Sequence, residues 1–590
     1  MKRPRFLIKL ILYTHKMPMN RLMVILSIVV GFIVGMLAVL MKNLVFGIQR
    51  LLTGGFSIDY SNYKYVLFPA IGIFLTVIFV KYILRKPVRD GIPNVLYAIS
   101  KKLGILDAHN TFSSIITASL TVGFGGSVGL EGPTVVTGAA WGSNIGKLLG
   151  LNHKQIITII GFSAAAAMSA IFKAPIAAIV FALEVILFDM TMTALVPLLL
   201  SSIVAALTSY AFLGQGILYP SVVDHVFKIS DTPYYFGLGL FTALASVYFI
   251  KFYVFTGKIF DKIKGWFLKF LVGAGLLGGL IFLFPSLYGE GYEDVNMALS
   301  GKMDFLFNNS LFYDLKGQMH IALLLLFAIT MLKVVATSVT FRSGGVGGVF
   351  APTLFIGTMV GLLFASVLNY FGITNLPLSS FALAGMAGML AGVVHAPLTA
   401  IFLIAEITGG YSLIFPIMIV ATVSYGIAKF IIPNSIYTIQ LTGRGEMITH
   451  HKDKAILTLM NIESLIEKNF NSIGPEQTLG ELIDVIKESH RNIFPVVDKE
   501  NNFYGIIFLD QLRHIMFQTE MYDSTLVKNL MFMPSKVVEW EDDMETVAAK
   551  FQHSGKYNLV VLKDGKYIGF VSRANVFSQY RKLLNEFSED

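Results

Sequence analysis

The chain has 590 residues, no cysteine, 55% hydrophobic residues and 14% charged ones, against about 25% charged in soluble domains, which argues against an ordinary cytosolic enzyme. Charge is unevenly placed: residues 451–590 carry 16 basic and 21 acidic side chains and the first 450 carry 30 and 16, the pattern of a membrane body followed by a soluble domain. Without cysteine there is no disulfide, thiolate zinc site or cysteine nucleophile. The basic excess falls in the hydrophobic part, where it marks loops and lipid headgroups rather than a nucleic-acid partner.

Taken in chain order, residues 1–21 are basic and amphipathic and read as a cytoplasmic interfacial segment before the first apolar stretch, Leu22 to Met41. Further apolar stretches lie near 66–84, 192–214, 236–256, 268–285, 320–338, 353–371, 381–407 and 412–432. Each approaches the ~20 residues a bilayer requires. Glycines and prolines interrupt apolar sequence at 91–93, 122–133, 173–175, 343–352 and 395–397. Hydrocarbon tolerates broken backbone only where protein or a polar cavity covers it, and transporters use such broken helices to hold ions. A solute pathway is the leading reading.

An internal repeat supports it. Residues 161–184 match 383–406, each copy running through small residues to Lys173-Ala174-Pro175 or His395-Ala396-Pro397 and then to Glu184 or Glu406. Upstream, Gly129-Leu130-Glu131-Gly132-Pro133 matches Gly348-Val349-Phe350-Ala351-Pro352. Repeat halves at about 66–210 and 236–432 place a binding site at their interface. Whether the copies are inverted is left open by the sequence.

From residue 443 the composition is soluble. Strands at 492–498 and 504–508, and again at 557–562 and 567–571, are flanked by helical patterns at 479–489, 510–518, 543–553 and 574–586. These form two copies of one small α/β unit, about 453–520 and 526–590.

An anion in a membrane needs a substitute for its hydration shell, and amides at a helix start offer about half an elementary charge without holding the ion too tightly. Gly91-Ile92-Pro93, the 125–133 segment and the 343–352 segment fit that design. Glu131 is the leading candidate for a functional side chain: ionised, it occupies the anion's place, and protonated, it vacates it, acting as gate and proton carrier. A helix-start carboxylate serving only stability is the competing reading. Gly125-Gly126-Ser127-Val128-Gly129 also satisfies a hydrolase nucleophile pattern with His395 as base, but the strand-turn-helix context is missing. His395 reads as a structural cap or interface residue.

The motifs at 91–93, 129–133 and 348–352, with Ser435-Ile436-Tyr437 after the last span, resemble the CLC chloride channels and chloride/proton antiporters, and the tail resembles a pair of CBS domains. The resemblance implies an all-α polytopic membrane fold over 22–442, built of two repeated halves of broken, tilted helices, followed by a small α/β CBS pair at 443–590. It implies a homodimer in a lipid bilayer that moves chloride or another monovalent anion together with protons. Glu131 matches the gating glutamate. Gly348, Val349 and Phe350 match the segment offering amides to the central anion, Gly129 lies in the first-copy loop, and Tyr437 matches the tyrosine whose hydroxyl contacts the anion. Asp90, Gly91 and Ile92 occupy the stretch where chloride members carry serine, so an ionised Asp90 would repel chloride and anion preference is left open. Leu130 replaces a basic residue beside the gate, and Val185 stands where many exchangers place an inner proton-transfer glutamate.

Exchange is placed ahead of a voltage- or pH-gated passive channel because Glu131 and Tyr437 are both present. A divalent-cation channel with CBS domains is the distant alternative, but no acidic cluster occupies a glycine-broken segment, and no metal site or required cofactor is expected. In the tail, Ser572, Asn575 and Asp510 partly match a nucleotide-binding pattern, so an adenine nucleotide is a possible ligand there. A bacterial inner membrane with both termini cytoplasmic is the expected location.

Overall fold

Long apolar runs leave the backbone one way to satisfy its own polar groups in lipid, the helix, and every regular element described between Met19 and Thr442 is helical. The computed structural model describes residues 16–53, 64–88, 91–186, 194–216, 219, 227–442, 457 and 460–588. Most of the expected interfacial segment, and Asp90, lie outside them. The chain divides into two compact units, Met1–Ile448 and Thr449–Asp590.

Among the described residues nine helices are long and apolar enough to cross a membrane. Eight coincide with stretches expected from hydropathy. The expected span at 381–407 is instead two helices, Leu378–Val394 and Pro397–Ile407, broken at His395, whose φ of 63° is left-handed. The ninth, His153–Phe172, was not expected. It opens on polar residues capped by Asn152 and Gln155 and is rich in alanine, so it is covered by protein rather than lipid and its apolarity is modest. Small residues also set how closely helices approach: a Cβ on Gly361 would collide with the Phe381 carbonyl, and one on Gly385 with the Gly357 carbonyl. That contact joins the Phe350–Tyr370 and Leu378–Val394 helices backbone to backbone, as small-residue seams do in membranes.

The repeat is visible as exchanged hydrogen bonds. Gly129 donates to the Gly348 carbonyl at 2.8 Å and Gly348 donates to the Gly129 carbonyl at 2.7 Å, an antiparallel bridge. The Ser127 amide donates to Thr340 Oγ1 at 3.3 Å, and the equivalent Val346 amide donates to Thr121 Oγ1 at 3.1 Å. Glu184 accepts from the Leu398 and Thr399 amides, and Glu406 accepts from the Ile176 and Ala177 amides. Equivalent residues therefore swap partners about a local twofold, and the orphan donors at the starts of the Pro175 and Pro397 helices are satisfied by a glutamate of the other copy.

The C-terminal unit, taken by itself, contains two antiparallel hairpins. Strands β2 (Ile493–Val497) and β3 (Phe503–Phe508) pair, and β1 (Ile466–Glu467), β4 (Val538–Glu539), β5 (Asn558–Lys563) and β6 (Lys566–Ser572) form a sheet in the order β1-β6-β5-β4. Both hairpins carry a register shift at an equivalent place, between Val496 and Val497 and between Val561 and Leu562. Three flanking helices form as expected, at Leu479–Glu488, Met544–Ser554 and Arg573–Ser588. The helix expected over 510–518 is only the turn Leu509–Leu512. Beyond it the chain continues in turns, the Ile515 and Met516 amides both donating to the Leu512 carbonyl at 2.9 Å, while Leu512 and Ile515 enter the core and Tyr522 donates its hydroxyl to the Met516 carbonyl at 2.8 Å.

Candidate functional site

Three helices begin at one place inside the membrane unit: Gly91–Lys101, Glu131–Leu149 and Phe350–Tyr370. Glycine makes their convergence possible. A Cβ on Gly91 would lie 3.1 Å from the Gly132 Cα, one on Gly132 would lie 3.2 Å from the Gly348 Cα, and one on Gly348 would lie 2.8 Å from the Gly132 nitrogen. The first amides of each helix have no partner within it, so positive helix ends gather at a point inside protein.

Glu131, the first residue of its helix, stands at that point and is fully buried. Its Oε2 lies against Gly129 and near Gly348, with no hydrogen bond of ordinary geometry among the described residues. The amides of Glu131 itself and of Ala351 face the carboxylate. An unpaired ionised carboxylate taken out of water costs several kcal/mol, so the converging helix ends and a nearby charge must offset that cost, or a proton must. The neighbouring cation is Lys42, buried, with its Nζ donating to the Ile171 carbonyl at 2.6 Å.

Of the expected amide donors, the structure withdraws two. The amides of Gly129 and Gly348 are committed to each other's carbonyls, because the two loops pair as a bridge before their helices start, so neither is offered to an ion in this conformation. Val349 and Phe350 open the following helix at its cap and first position, where amides are not used by the helix itself. The Phe350 ring is buried between Phe172 and Phe181 at centroid distances of 6.0 and 5.8 Å. Gly91 and Ile92 are buried at the start of their helix. Tyr437 is buried on the helix Ile436–Thr442, which packs on the Gly91–Lys101 helix. Its hydroxyl has no hydrogen-bond partner among the described residues and is within electrostatic reach of Glu131.

Sequence reasoning passed over the residues that hold Glu131. Tyr292 donates its hydroxyl to Glu131 Oε1 at 3.0 Å. Glu290, buried, accepts from the amide of Leu130 at 3.1 Å. Lys333, fully buried on Met319–Arg342, donates to the Gly289 carbonyl at 2.8 Å and to that of Leu287 at 3.3 Å and lies 4.7 Å from the Phe355 ring centroid. The available signals were lysines inside apolar runs, which are expensive and so informative, and the acid between two glycines in Gly289-Glu290-Gly291.

The remaining candidates have other uses. Ser127 precedes a helix without any strand described in the membrane unit. Lys173 and His395 are both left-handed helix ends, and Lys173 donates to the Gly214 carbonyl at 2.7 Å. Glu184 and Val185 share the π turn Ala182–Ile186, Val185 being buried. In the tail, Ser572 Oγ accepts from the Asn575 amide at 3.1 Å, Asn575 donates to Glu467 at 2.7 Å, and Asp510 pairs with Arg513 at 2.8 Å. Among the described residues no group of three or more His, Asp or Glu is arranged for a metal ion.

The voltage gated chloride channel family matches residues 72–429, and the CBS domain family matches residues 462–517. The chain is 30% identical over 378 residues to a ClcB-like chloride channel protein of Ralstonia nicotianae, across 61% of this chain and 81% of that one. It is 27% identical over 458 residues to the H(+)/Cl(-) exchange transporter ClcA of Salmonella paratyphi B, across 74% and 91%. Among solved structures, a CLC-type fluoride/proton antiporter superposes with a TM-score of 0.57 at 25% identity, covering 71% of this chain and 97% of that one.

Proposed function

The chain belongs to the voltage gated chloride channel family, as a multi-pass membrane protein with a CBS tail, and from that membership we propose that it exchanges chloride, or a related monovalent anion, for protons. The observation that carries this reading is the buried Glu131 carboxylate standing where three helix starts meet. Ionised, the carboxylate is itself a tethered anion attracted by those helix ends. Protonated, it loses that attraction, and a free anion can take the place. One side chain thereby alternates anion occupancy with proton occupancy, which is what coupling requires.

Around the vacated place, the amides of Val349, Phe350, Gly91 and Ile92 and the hydroxyl of Tyr437 supply donors of partial charge. Such donors bind weakly enough for release. Fluoride stands beside chloride as a candidate because a related structure is a fluoride/proton antiporter. Passive conduction is the second reading, favoured by the apolar Val185 next to Glu184. The working unit is a homodimer in a bacterial inner membrane with both termini cytoplasmic, and the tail is a regulatory platform open to an adenine nucleotide near Ser572, Asn575 and Asp510.

Chloride efflux from proteoliposomes with simultaneous pH recording tests the reading. Proton movement driven by a chloride gradient is expected. Chloride flux without protons would establish the channel instead, and absence of any anion flux would remove both.

A further inference from the structure

A cavity of about 360 Å³ lies beside the Glu131 site, bordered by Glu290, Tyr292, Tyr288, Glu293 and Asp294. Tyr292 belongs to both places. Its half-buried ring lines the cavity while its hydroxyl donates to Glu131 Oε1, and among the described residues it is the one side chain hydrogen-bonded to Glu131. Glu290 also borders the cavity, and its carboxylate holds the peptide amide immediately before Glu131.

We propose that Tyr292 and Glu290 form a proton relay joining this cavity to Glu131, so that protons reach the gate from beside the anion path; this rests on the exchange reading above. The relay is built rather than incidental. Gly289 and Gly291, with φ of 62° and 83°, turn the backbone sharply on either side of Glu290, and Lys333 fixes the loop by its bonds to the carbonyls of Leu287 and Gly289. The charged and titratable groups facing Glu290 are Glu131, Lys42, Lys333, Tyr292 and Tyr219, and those facing Tyr292 are Glu131, Glu290 and Tyr219. Glu131 itself also faces Lys42, Tyr219 and Tyr437.

The step balances without other reactants than a hydronium ion or a protonated Glu290. As Tyr292 passes its hydroxyl proton to ionised Glu131, the phenol oxygen accepts a proton from the cavity side. Glu131 ends protonated, tyrosine ends neutral as it began, and water or the Glu290 carboxylate remains. Rotation of the hydroxyl resets the relay, and the reverse sequence unloads the gate.

The test compares wild type, Tyr292→Phe and Glu290→Gln in proteoliposomes, recording chloride and protons together. Phenylalanine keeps the ring and glutamine keeps an acceptor for the Leu130 amide, and monodisperse elution checks the fold of each. Proton turnover is expected to fall roughly tenfold in Tyr292→Phe, less than the hundredfold typical of a lost general acid because water can substitute, while chloride turnover falls less. Glu290→Gln is expected to lower the proton-to-chloride ratio and flatten its pH profile. An unchanged ratio and pH profile in both variants would overturn the relay. Should wild type pass chloride without protons, the exchange reading fails separately. The relay is then read as the lag with which chloride flux follows a pH jump, expected to lengthen roughly tenfold in Tyr292→Phe and refuted by an equal lag.

Discussion

The two halves of the membrane unit share a backbone and differ in what they carry at one place. In the first copy the helix after the paired glycine begins with Glu131, and in the second it begins with Phe350. Both helices start after the same bridge, and both preceding loops turn through a left-handed glycine, Gly125 and Gly344. The amide before Glu131 is held by Glu290, a contact with no symmetric counterpart among the described residues. Symmetric positions thus build the frame, and the departures from symmetry, one acid against one aromatic ring, supply the chemistry.

The largest expected effect comes from erasing that departure. Glu131→Gln should abolish proton coupling, about a hundredfold or more, while anion flux persists and loses its pH dependence, read by the same paired recording in proteoliposomes. Coupling that survives the change would place the proton carrier elsewhere. Tyr437→Phe, which removes only a hydroxyl, should weaken anion affinity about tenfold, the loss of one good hydrogen bond of about 1.4 kcal/mol, measured by calorimetric chloride titration; a purely structural role predicts a lower melting temperature and unchanged affinity.

Symmetric positions should behave symmetrically. Glu184→Ala and Glu406→Ala each strip two helix-start amides of their acceptor, so each should cost about 2 kcal/mol of stability in thermal unfolding, Glu184→Ala somewhat more because it also frees the Thr399 hydroxyl. A transport defect in one but not the other would show that the frame residue had acquired a second task. The smallest effect lies in the tail. The side chain and amide of Asn502 hold the Asp498 carboxyl below its usual range. Its small contribution is therefore present above the unfolded pKa of about 3.9 and fades as pH falls through the lower folded value. Asp498→Asn should remove that acid-limb slope from the tail's unfolding and little else.

Most of the frame was legible because hydropathy and glycine-proline breaks are local. The spans, the repeat, the hairpins and the acid at 131 all announce themselves in short windows. The His153–Phe172 helix escaped because burial by protein, unlike burial by lipid, does not demand continuous strong apolarity. The helix expected over 510–518 closes after the turn Leu509–Leu512 and continues as looser turns that carry Ile515 into the core, a distinction the apolar pattern of the segment does not make. The surroundings of Glu131 were hidden for a different reason. The Glu290–Tyr292 loop, Lys42 and Lys333 come from three segments far from Glu131 in the chain, and only folding reveals that Lys42 and Lys333 both reach the buried Glu290. The commitment of the Gly129 and Gly348 amides to one another was equally out of reach, since sequence shows that a loop is rich in glycine and not which way its N–H groups point.

The swapped hydrogen bonds also govern how the chain can be made. When Ser127, Ile176 and Ala177 leave the ribosome, the acceptors for their amides, Thr340 and Glu406, are still untranslated. At usual synthesis rates the first half waits on the order of ten to forty seconds, inserted but with helix ends unmet in a solvent that offers no substitute. Assembly is consequently a late, all-at-once closure of two mutually dependent pieces, and a gene cut between them should yield a competent protein only when both fragments are made together.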